Sequence, residues 1–129
     1  MRSAAVLIVS AGALVALTGC AAASEDDVQA VAAAFEDPSA PEQERCDLLT
    51  PATRGAFESD ESAPCAEVIG EVPLPGGEVT SVEVWGGDAQ VRIGGDVVFL
   101  TETGAGWRVT AAGCRPRGDL PYDCEVEGP

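Results

Sequence analysis

The stretch from Glu78 to Cys124 alternates apolar and polar residues in four short runs. A period of two residues is typical of β-strands that bury one face. Glycine-rich connections separate the runs, and glycine suits the positive φ angles that tight hairpins require. These connections are Gly86-Gly87-Asp88, Gly94-Gly95-Asp96 and Gly104-Ala105-Gly106. The pattern therefore predicts an antiparallel meander of four strands, which needs an apolar layer against one face.

The alternation also predicts which side chains face that layer. Trp85 and Trp107 are both interpreted as core residues because they lie in strands, whereas an exposed tryptophan would instead indicate a recognition surface. We expect the inner face of the sheet to be drawn from Val82, Val84, Ala89, Val91, Ile93, Phe99, Trp107 and Val109.

Four segments before the meander carry helix signals. The first begins at Ser24, which is followed by acidic residues, and ends at Asp37-Pro38. Further helices are expected over 41–49, from a Thr50 cap through Phe57, and from Ser62 to near Gly70, with a loop over 58–63. Their apolar side chains, expected to fill the inner face of the sheet, are Val28, Val31, Phe35, Leu48, Leu49 and Phe57. Helices followed by a meander predict an α+β fold.

The N-terminal segment has the layout of an export signal. Arg2 precedes an apolar run from Ala4 to Leu17, and the run ends in Leu17-Thr18-Gly19-Cys20. This ending resembles the lipobox of bacterial lipoproteins, in which the cysteine sulfur receives a diacylglycerol. The alternatives are an ordinary signal peptide or a retained anchor, although a bilayer span needs about 20 apolar residues. We expect a signal peptide over 1–19, a lipidated tether over 20–24 and a single domain over 25–129.

Charge narrows the range of partners. The chain has a net charge of −15 and contains neither histidine nor lysine. Nucleic acid is excluded as a partner because phosphate binding relies on clustered cationic side chains. Anionic headgroups should also repel the domain, so the lipid on Cys20 is expected to attach it to the extracytoplasmic face of the cell membrane.

Four cysteines follow Cys20, which is an even number in a small exported domain. They allow three disulfide connectivities. We expect the pairs that are local in sequence, Cys46–Cys65 and Cys114–Cys124, because each closes a segment without regular support. Zinc is the rival interpretation, but the chain lacks both the Cys-x-x-Cys spacing and the histidine that such sites use, so no metal is expected.

Several motifs together resemble small exported lipoproteins of high-GC Gram-positive bacteria. The motifs are Cys46-Asp47-Leu48-Leu49-Thr50-Pro51, Pro64-Cys65, Val84-Trp85-Gly86-Gly87-Asp88-Ala89-Gln90-Val91 and Gly106-Trp107-Arg108-Val109. The order of elements is similar to the NTF2-like, or cystatin-like, α+β roll. The resemblance implies helices packed on a curved four-stranded antiparallel meander. It implies little about activity, since this fold includes isomerases, dehydratases, transport factors and interaction modules.

Catalytic chemistry is limited by the residues present. Without histidine and lysine there is no Ser-His-Asp triad, Cys-His dyad or Schiff base. Carboxylates remain, and Asp47, Glu83 and Glu102 are the acids placed where they could face inward. We expect no catalytic residues and no cofactor. The alternative is an isomerase or cyclase that uses a carboxylate in the cone of the roll, as NTF2-like enzymes do.

The loop bounded by the last two cysteines carries a candidate binding site. Arg115 and Arg117 place two positive charges in an acidic domain, and Tyr122 follows them. This loop could receive an anionic group of a partner. In the alternative interpretation the arginines pair with Asp119, Asp123 or Glu125 and order the loop.

For the protein as a whole, the sequence predicts a non-catalytic module that binds a protein partner or a small apolar ligand.

Overall fold

A computed structural model describes the backbone of residues 19–129 and the side chains of residues 23–129. The expected signal peptide, apart from Gly19, lies outside the described residues. The described part forms an α+β fold in which four α-helices and a short 3-10 helix precede six strands. The helices are α1 (Gly19–Glu36), α2 (Glu42–Asp47), α3 (Pro51–Glu61) and α4 (Cys65–Val68), with the 3-10 helix over Ile69–Glu71. The strands are β1 (Val79–Trp85), β2 (Asp88–Ile93), β3 (Asp96–Thr103), β4 (Gly106–Arg117), β5 (Leu120–Asp123) and β6 (Val126–Glu127).

The first helix begins earlier than expected. The sequence predicts a start at Ser24, whereas α1 begins at Gly19, so the backbone of the expected tether is helical. The alanines of this segment explain the difference, because alanine has the highest helix propensity. The helix ends at Glu36, before Asp37-Pro38, as predicted. No helix in the described part of the chain is both long and apolar enough to cross a membrane.

The third helix has the predicted start. The Thr50 hydroxyl accepts a hydrogen bond from the N–H of Thr53 at 3.1 Å, and Pro51 occupies the first helical position. The helix continues past Phe57 to Glu61, so most of the expected loop over 58–63 is helical. A left-handed residue, Ser62 with φ 54°, ends it.

The sheet contains the predicted meander and two more strands. β1 to β4 pair antiparallel in chain order, β5 pairs with the end of β4, and β6 also pairs with β4. The four-strand count is therefore wrong for the described residues. The segment between Cys114 and Cys124, predicted as a loop, instead forms the β4–β5 hairpin. Pro116 and Pro121 lie in it because proline is tolerated in an edge strand.

The helices cover one face of the sheet, and the main core lies between the two layers. Two side chains differ from the prediction. Phe99 lies on the outer face, while its neighbours Val98 and Leu100 are buried in the core. Trp85 is 51% exposed and is not a core residue. The buried side chains of the main core include Val28, Ala32, Phe35, Leu49, Phe57, Ile69, Ala89, Val91, Ile93, Val98, Leu100, Trp107 and Val109.

Both predicted disulfides are present. Cys46–Cys65 joins α2 to the start of α4, with Cα atoms 6.1 Å apart. Cys114–Cys124 joins β4 to the residue after β5, with Cα atoms 3.9 Å apart. One bridge therefore links two helices and the other closes the β4–β5 hairpin.

Candidate functional site

The outer face of the sheet, which the helices leave uncovered, carries a groove with a volume of about 620 Å³. We call it the outer-face groove. The start of α3 and the segment after β6 flank it. Its lining comprises Trp85, Asp88, Ala89, Phe99, Leu100, Thr101, Thr110 and Ala111 from the sheet, and Thr50, Ala52, Thr53, Glu127, Gly128 and Pro129 from the flanks.

Trp85 stands at one end of this groove on a rigid turn. It closes the β1–β2 hairpin opposite Asp88, across the two-residue connection Gly86-Gly87. The carbonyl oxygen of Gly87 accepts hydrogen bonds from the N–H of Glu102 at 2.7 Å and the hydroxyl of Thr101 at 3.1 Å. These bonds hold the turn against β3, so the indole is presented from a fixed backbone.

Two carboxylates flank the indole. Glu83 lies two residues before Trp85 on the same face of β1, and Asp88 lies opposite it on β2. Both carboxylates are exposed, and neither forms an ion pair within residues 23–129. Arg92 also lies on this face of β2. In the strand register it is opposite Ser81, near the other end of β1 from Trp85. The surroundings of Trp85 are therefore aromatic and anionic.

A second apolar cluster contributes Phe99 and Ala111 to the lining of the groove. Phe99 and Tyr122 pack edge to face, with ring centroids 5.1 Å apart. Val97, Ala111 and Cys114 are the buried members of the same cluster. This cluster explains why Phe99 can leave the main core without becoming solvated: its partner Tyr122 comes from β5, a strand that the sequence pattern did not predict.

The wall beside α3 is internally hydrogen-bonded. The Thr53 hydroxyl donates to the carbonyl of Thr110 at 3.1 Å and accepts from the Thr50 hydroxyl at 2.8 Å. The N–H of Gly128 donates to the same Thr110 carbonyl at 2.9 Å. These contacts hold the segment after β6 against α3 and β4, so the wall is part of the fold.

The predicted binding residues lie elsewhere. The Arg115 guanidinium pairs with Glu125 at 3.0 Å, as in the interpretation in which the arginines order the loop. The Nε of Arg117 donates to the carbonyl of Pro121 at 3.1 Å. Tyr122 packs on Phe99. None of the three lines the outer-face groove, and their role in binding stays a prediction.

The three acids considered for catalysis are not brought together. Glu83 and Glu102 are exposed. The Asp47 side chain is 61% exposed and pairs with Arg54 at 3.2 Å, at the edge of a second groove of about 530 Å³. A carboxylate becomes a general base near neutral pH when burial raises its pKa beside a cavity that admits substrate. All three side chains are exposed, so none of them is a buried carboxylate.

Sequence reasoning missed a buried carboxyl group at the end of α1. Glu36 has no exposed surface, and neither of its carboxyl oxygens has a hydrogen-bond partner. Arg45 is also buried: its Nε donates to the carbonyl of Phe35 at 2.8 Å and its guanidinium lies 5.7 Å from the centre of that ring. The sequence does contain a signal for the burial of Glu36. The spacing i, i+4, i+7 and i+8, which marks one buried helix face, is occupied by Val28, Ala32, Phe35 and Glu36.

Burial, and to a smaller extent the nearby negative charge of Asp96, raise the pKa of the Glu36 carboxyl from an ordinary value of 4.5 to about 7. The backbone N–H groups of Gly76 and Gly113 lie close enough to oppose this rise, although neither forms a hydrogen bond of normal geometry. The charge of Arg45 also opposes it. Glu36 lines neither of the grooves described above.

No metal centre is evident in the described residues, where no three Cys, Asp or Glu side chains converge as ligands would.

Comparison with known proteins yields no matching family model, no similar curated protein and no similar solved structure. The outer-face groove and its exposed tryptophan are therefore the features on which a function can be argued.

Proposed function

We propose that this protein is a lipid-anchored extracytoplasmic lipoprotein whose single NTF2-like domain is a non-catalytic binding module, with the outer-face groove as its binding site. The anchor is the lipid on Cys20, supported by the Leu17-Thr18-Gly19-Cys20 motif. Two disulfides in a small domain are typical of oxidising compartments outside the cytoplasm and support the same location. Helices packed on one face of an antiparallel sheet are compatible with an NTF2-like roll.

The observation that carries the binding role is the exposure of Trp85 beside the outer-face groove. Tryptophan is enriched among the residues that dominate binding energy, and Trp85 precedes a turn whose backbone is hydrogen-bonded to β3. The groove volume falls within the range of about 300 to 1,000 Å³ that small-molecule sites occupy. It thus offers enough apolar and hydroxyl-lined surface for a ligand or a peptide segment.

An enzyme of the isomerase or cyclase type is the weaker candidate. Its supporting observation is Glu36, whose raised pKa would suit a general base near neutral pH. The carboxyl has no exposed surface, so a substrate could not reach it without opening the core. We therefore interpret Glu36 as a buried core residue and not as a catalytic base.

The anchor can be tested directly. Mass spectrometry of the protein produced in a bacterium that processes lipoproteins should find an N-terminal cysteine, Cys20, carrying a diacylglycerol. The Cys20→Ser variant should lose the lipid and its membrane attachment, because the thioether can no longer form. Unchanged processing and membrane attachment of this variant would contradict the anchor.

The binding role can be tested by purifying the mature lipidated protein from membranes of the organism that produces it. Trp85→Ala should lose the co-purifying partner or ligand. Leu120→Ala is the matched control, because Leu120 is 63% exposed on the distant β4–β5 hairpin. Loss of the partner in both variants, or in neither, would argue against the outer-face groove as the site.

A further inference from the structure

The strand that carries Trp85 lies at the edge of the sheet. Among the strands that the structure describes, β1 pairs with β2 alone. Proteins usually blunt such edges with charged side chains, above all lysine, or with proline, a bulge or a short strand, since an open edge can pair with another chain. β1 has seven residues and neither lysine nor proline, and its register shift lies at its start, between Val79 and Ser81.

The two faces of β1 differ in chemistry. Ser81, Glu83 and Trp85 lie on the outer face, while Val82 and Val84 face the core. Both valines pack against the core cluster yet remain partly exposed. A strand added beside β1 would therefore meet a polar, anionic and aromatic row on one face and an incompletely covered apolar row on the other.

The backbone of β1 is oriented for such an addition. In a two-residue hairpin the closing pair, here Trp85 and Asp88, exchanges its backbone hydrogen bonds across the two strands. Successive residues of a strand direct their N–H and C=O groups to opposite sides. We therefore expect Val82 and Val84 to direct these groups to the free edge.

Charge complementarity indicates the kind of partner. Glu83 and Asp88 flank the indole without ion pairs of their own in the described part of the chain, and Glu127 lines the far end of the groove. The chain as a whole has a net charge of −15. An arginine or lysine beside Trp85 would meet two carboxylates and an aromatic face, which is the arrangement that attracts cations.

We propose that the free edge of β1 binds an extended segment of a partner protein in which arginine or lysine alternates with apolar residues. The cationic side chains lie on the outer face beside Glu83 and Trp85, and the apolar ones cover Val82 and Val84. The main-chain groups of the segment continue the sheet. This inference rests on the proposed binding function and names the partner class.

Known geometry supports both contacts. Side chains directly opposite each other on neighbouring antiparallel strands have Cβ atoms about 4.5 to 5.5 Å apart. A cation is attracted by an aromatic ring within about 6 Å of its centre. A basic residue opposite Trp85 or Glu83 therefore reaches the indole, the carboxylate or both without any movement of β1.

The test uses the mature lipidated protein in non-ionic detergent and a synthetic capped hexapeptide in which arginine alternates with valine. A peptide with three arginines followed by three valines has the same charge and composition without the alternation. We expect the alternating peptide to bind at least about tenfold more tightly and to protect the amides of Val82 and Val84 from hydrogen exchange. Equal affinity of the two peptides would overturn the proposal, since charge alone would then explain binding.

Variants test the individual contacts. Trp85→Ala and Glu83→Lys should each weaken binding of the alternating peptide about tenfold, whereas Leu120→Ala should leave it unchanged. Methylating the alternate peptide nitrogens that face β1 should abolish binding, because strand addition needs those N–H groups. Unaltered binding of the methylated peptide would refute strand addition.

The two proposals fail in different ways. If the alternating peptide does not bind while Trp85→Ala still loses the partner purified from membranes, the edge proposal is wrong and the groove remains the binding site. If the peptide binds as described while Trp85→Ala retains the purified partner, the edge proposal stands and the groove is not the site of that partner.

Discussion

Glu36 makes the stability of this protein depend on pH in an unusual direction. Its pKa is about 7 in the folded protein against an ordinary value of 4.5, so between these values the folded state binds the proton that the unfolded state has released. The free energy of unfolding should therefore fall as the pH rises from about 4.5 to about 7, and then level off. At 1.36 kcal/mol per pKa unit, the loss is at most about 3 kcal/mol.

Urea unfolding of wild type and Glu36→Gln across this range checks the prediction. Glutamine is neutral and similar in shape, so the variant should lack the decline and exceed wild type in stability at pH 8. Glu102→Gln is the matched control, because Glu102 is exposed and its replacement should leave the decline in place. Parallel profiles for wild type and Glu36→Gln would show that the Glu36 carboxyl does not titrate as inferred.

Gly94 is required by a close approach of two chain segments. Its φ is +54°, and a Cβ added there would collide with the carbonyl oxygen of Gly76. Gly86 also has a positive φ, +61°, but the space around it is open. Both alanine variants suffer backbone strain, and only Gly94→Ala adds the collision.

Gly94→Ala should therefore destabilise the protein by about 1 to 3 kcal/mol more than Gly86→Ala, the typical cost of overpacking. Thermal or urea unfolding of the two variants measures the difference. Similar losses would mean that the segment around Gly76 moves aside without cost.

At the level of elements, the two disulfides constrain different parts of the fold. Cys46–Cys65 spans a sequence separation of 19 residues and links α2 to α4. Cys114–Cys124 spans a separation of 10 residues within one hairpin. The chain-entropy model assigns each bridge about 3 kcal/mol, with slightly more for the longer loop.

Paired alanine variants should separate the two roles. Cys46→Ala/Cys65→Ala should lower the free energy of unfolding by about 3 kcal/mol, because it frees the helical layer. Cys114→Ala/Cys124→Ala should chiefly release the β4–β5 hairpin, so hydrogen exchange should accelerate there while β1 to β3 keep their protection. Uniform acceleration across the sheet in the second variant would contradict this division.

The elements that could be predicted from sequence are those with a local signal. The Thr50-Pro51 helix start and the glycine turns depend on adjacent residues, and the disulfide pairs followed from local spacing. The face assignment of β3 failed because Val97 to Leu100 is apolar on both sides, so periodicity cannot choose between Phe99 and its neighbours. β5 could not be predicted from alternation, because its pairing with β4 depends on the hairpin and on the Cys114–Cys124 disulfide.

The candidate site was less predictable, since it depends on the arrangement of the whole molecule. Trp85 is exposed because the helices cover only one face of the sheet, and the sequence alone does not say which side of a strand remains open. Glu36 lies on the buried stripe of α1. Burial of a carboxylate is not expected from sequence, because it is unfavourable to remove an unpaired charge from water. The groups around its carboxyl include Arg45, Gly76 and Gly113, which lie outside α1 and are brought to it by the fold.

Net charge acts on the molecule as a whole. The chain carries −15, and the side chains of the three ion pairs in the described residues are half-buried or exposed, so these pairs stabilise the fold little. Repulsion between carboxylates should therefore oppose folding. Two like charges 10 Å apart in water repel by roughly 0.4 kcal/mol, and 1 M salt reduces the screening length to about 3 Å.

Sodium chloride at 1 M should therefore raise the free energy of unfolding at pH 8, by on the order of 1 kcal/mol if a few such pairs are screened. The same addition at about pH 4 should have a smaller effect, because many carboxylates are then neutral. Urea titrations of the full-length protein at both pH values measure the two changes, and Glu36→Gln should respond to salt as wild type does. A salt effect that is absent at pH 8, or as large at pH 4, would mean that repulsion between the carboxylates does not limit the stability of this fold.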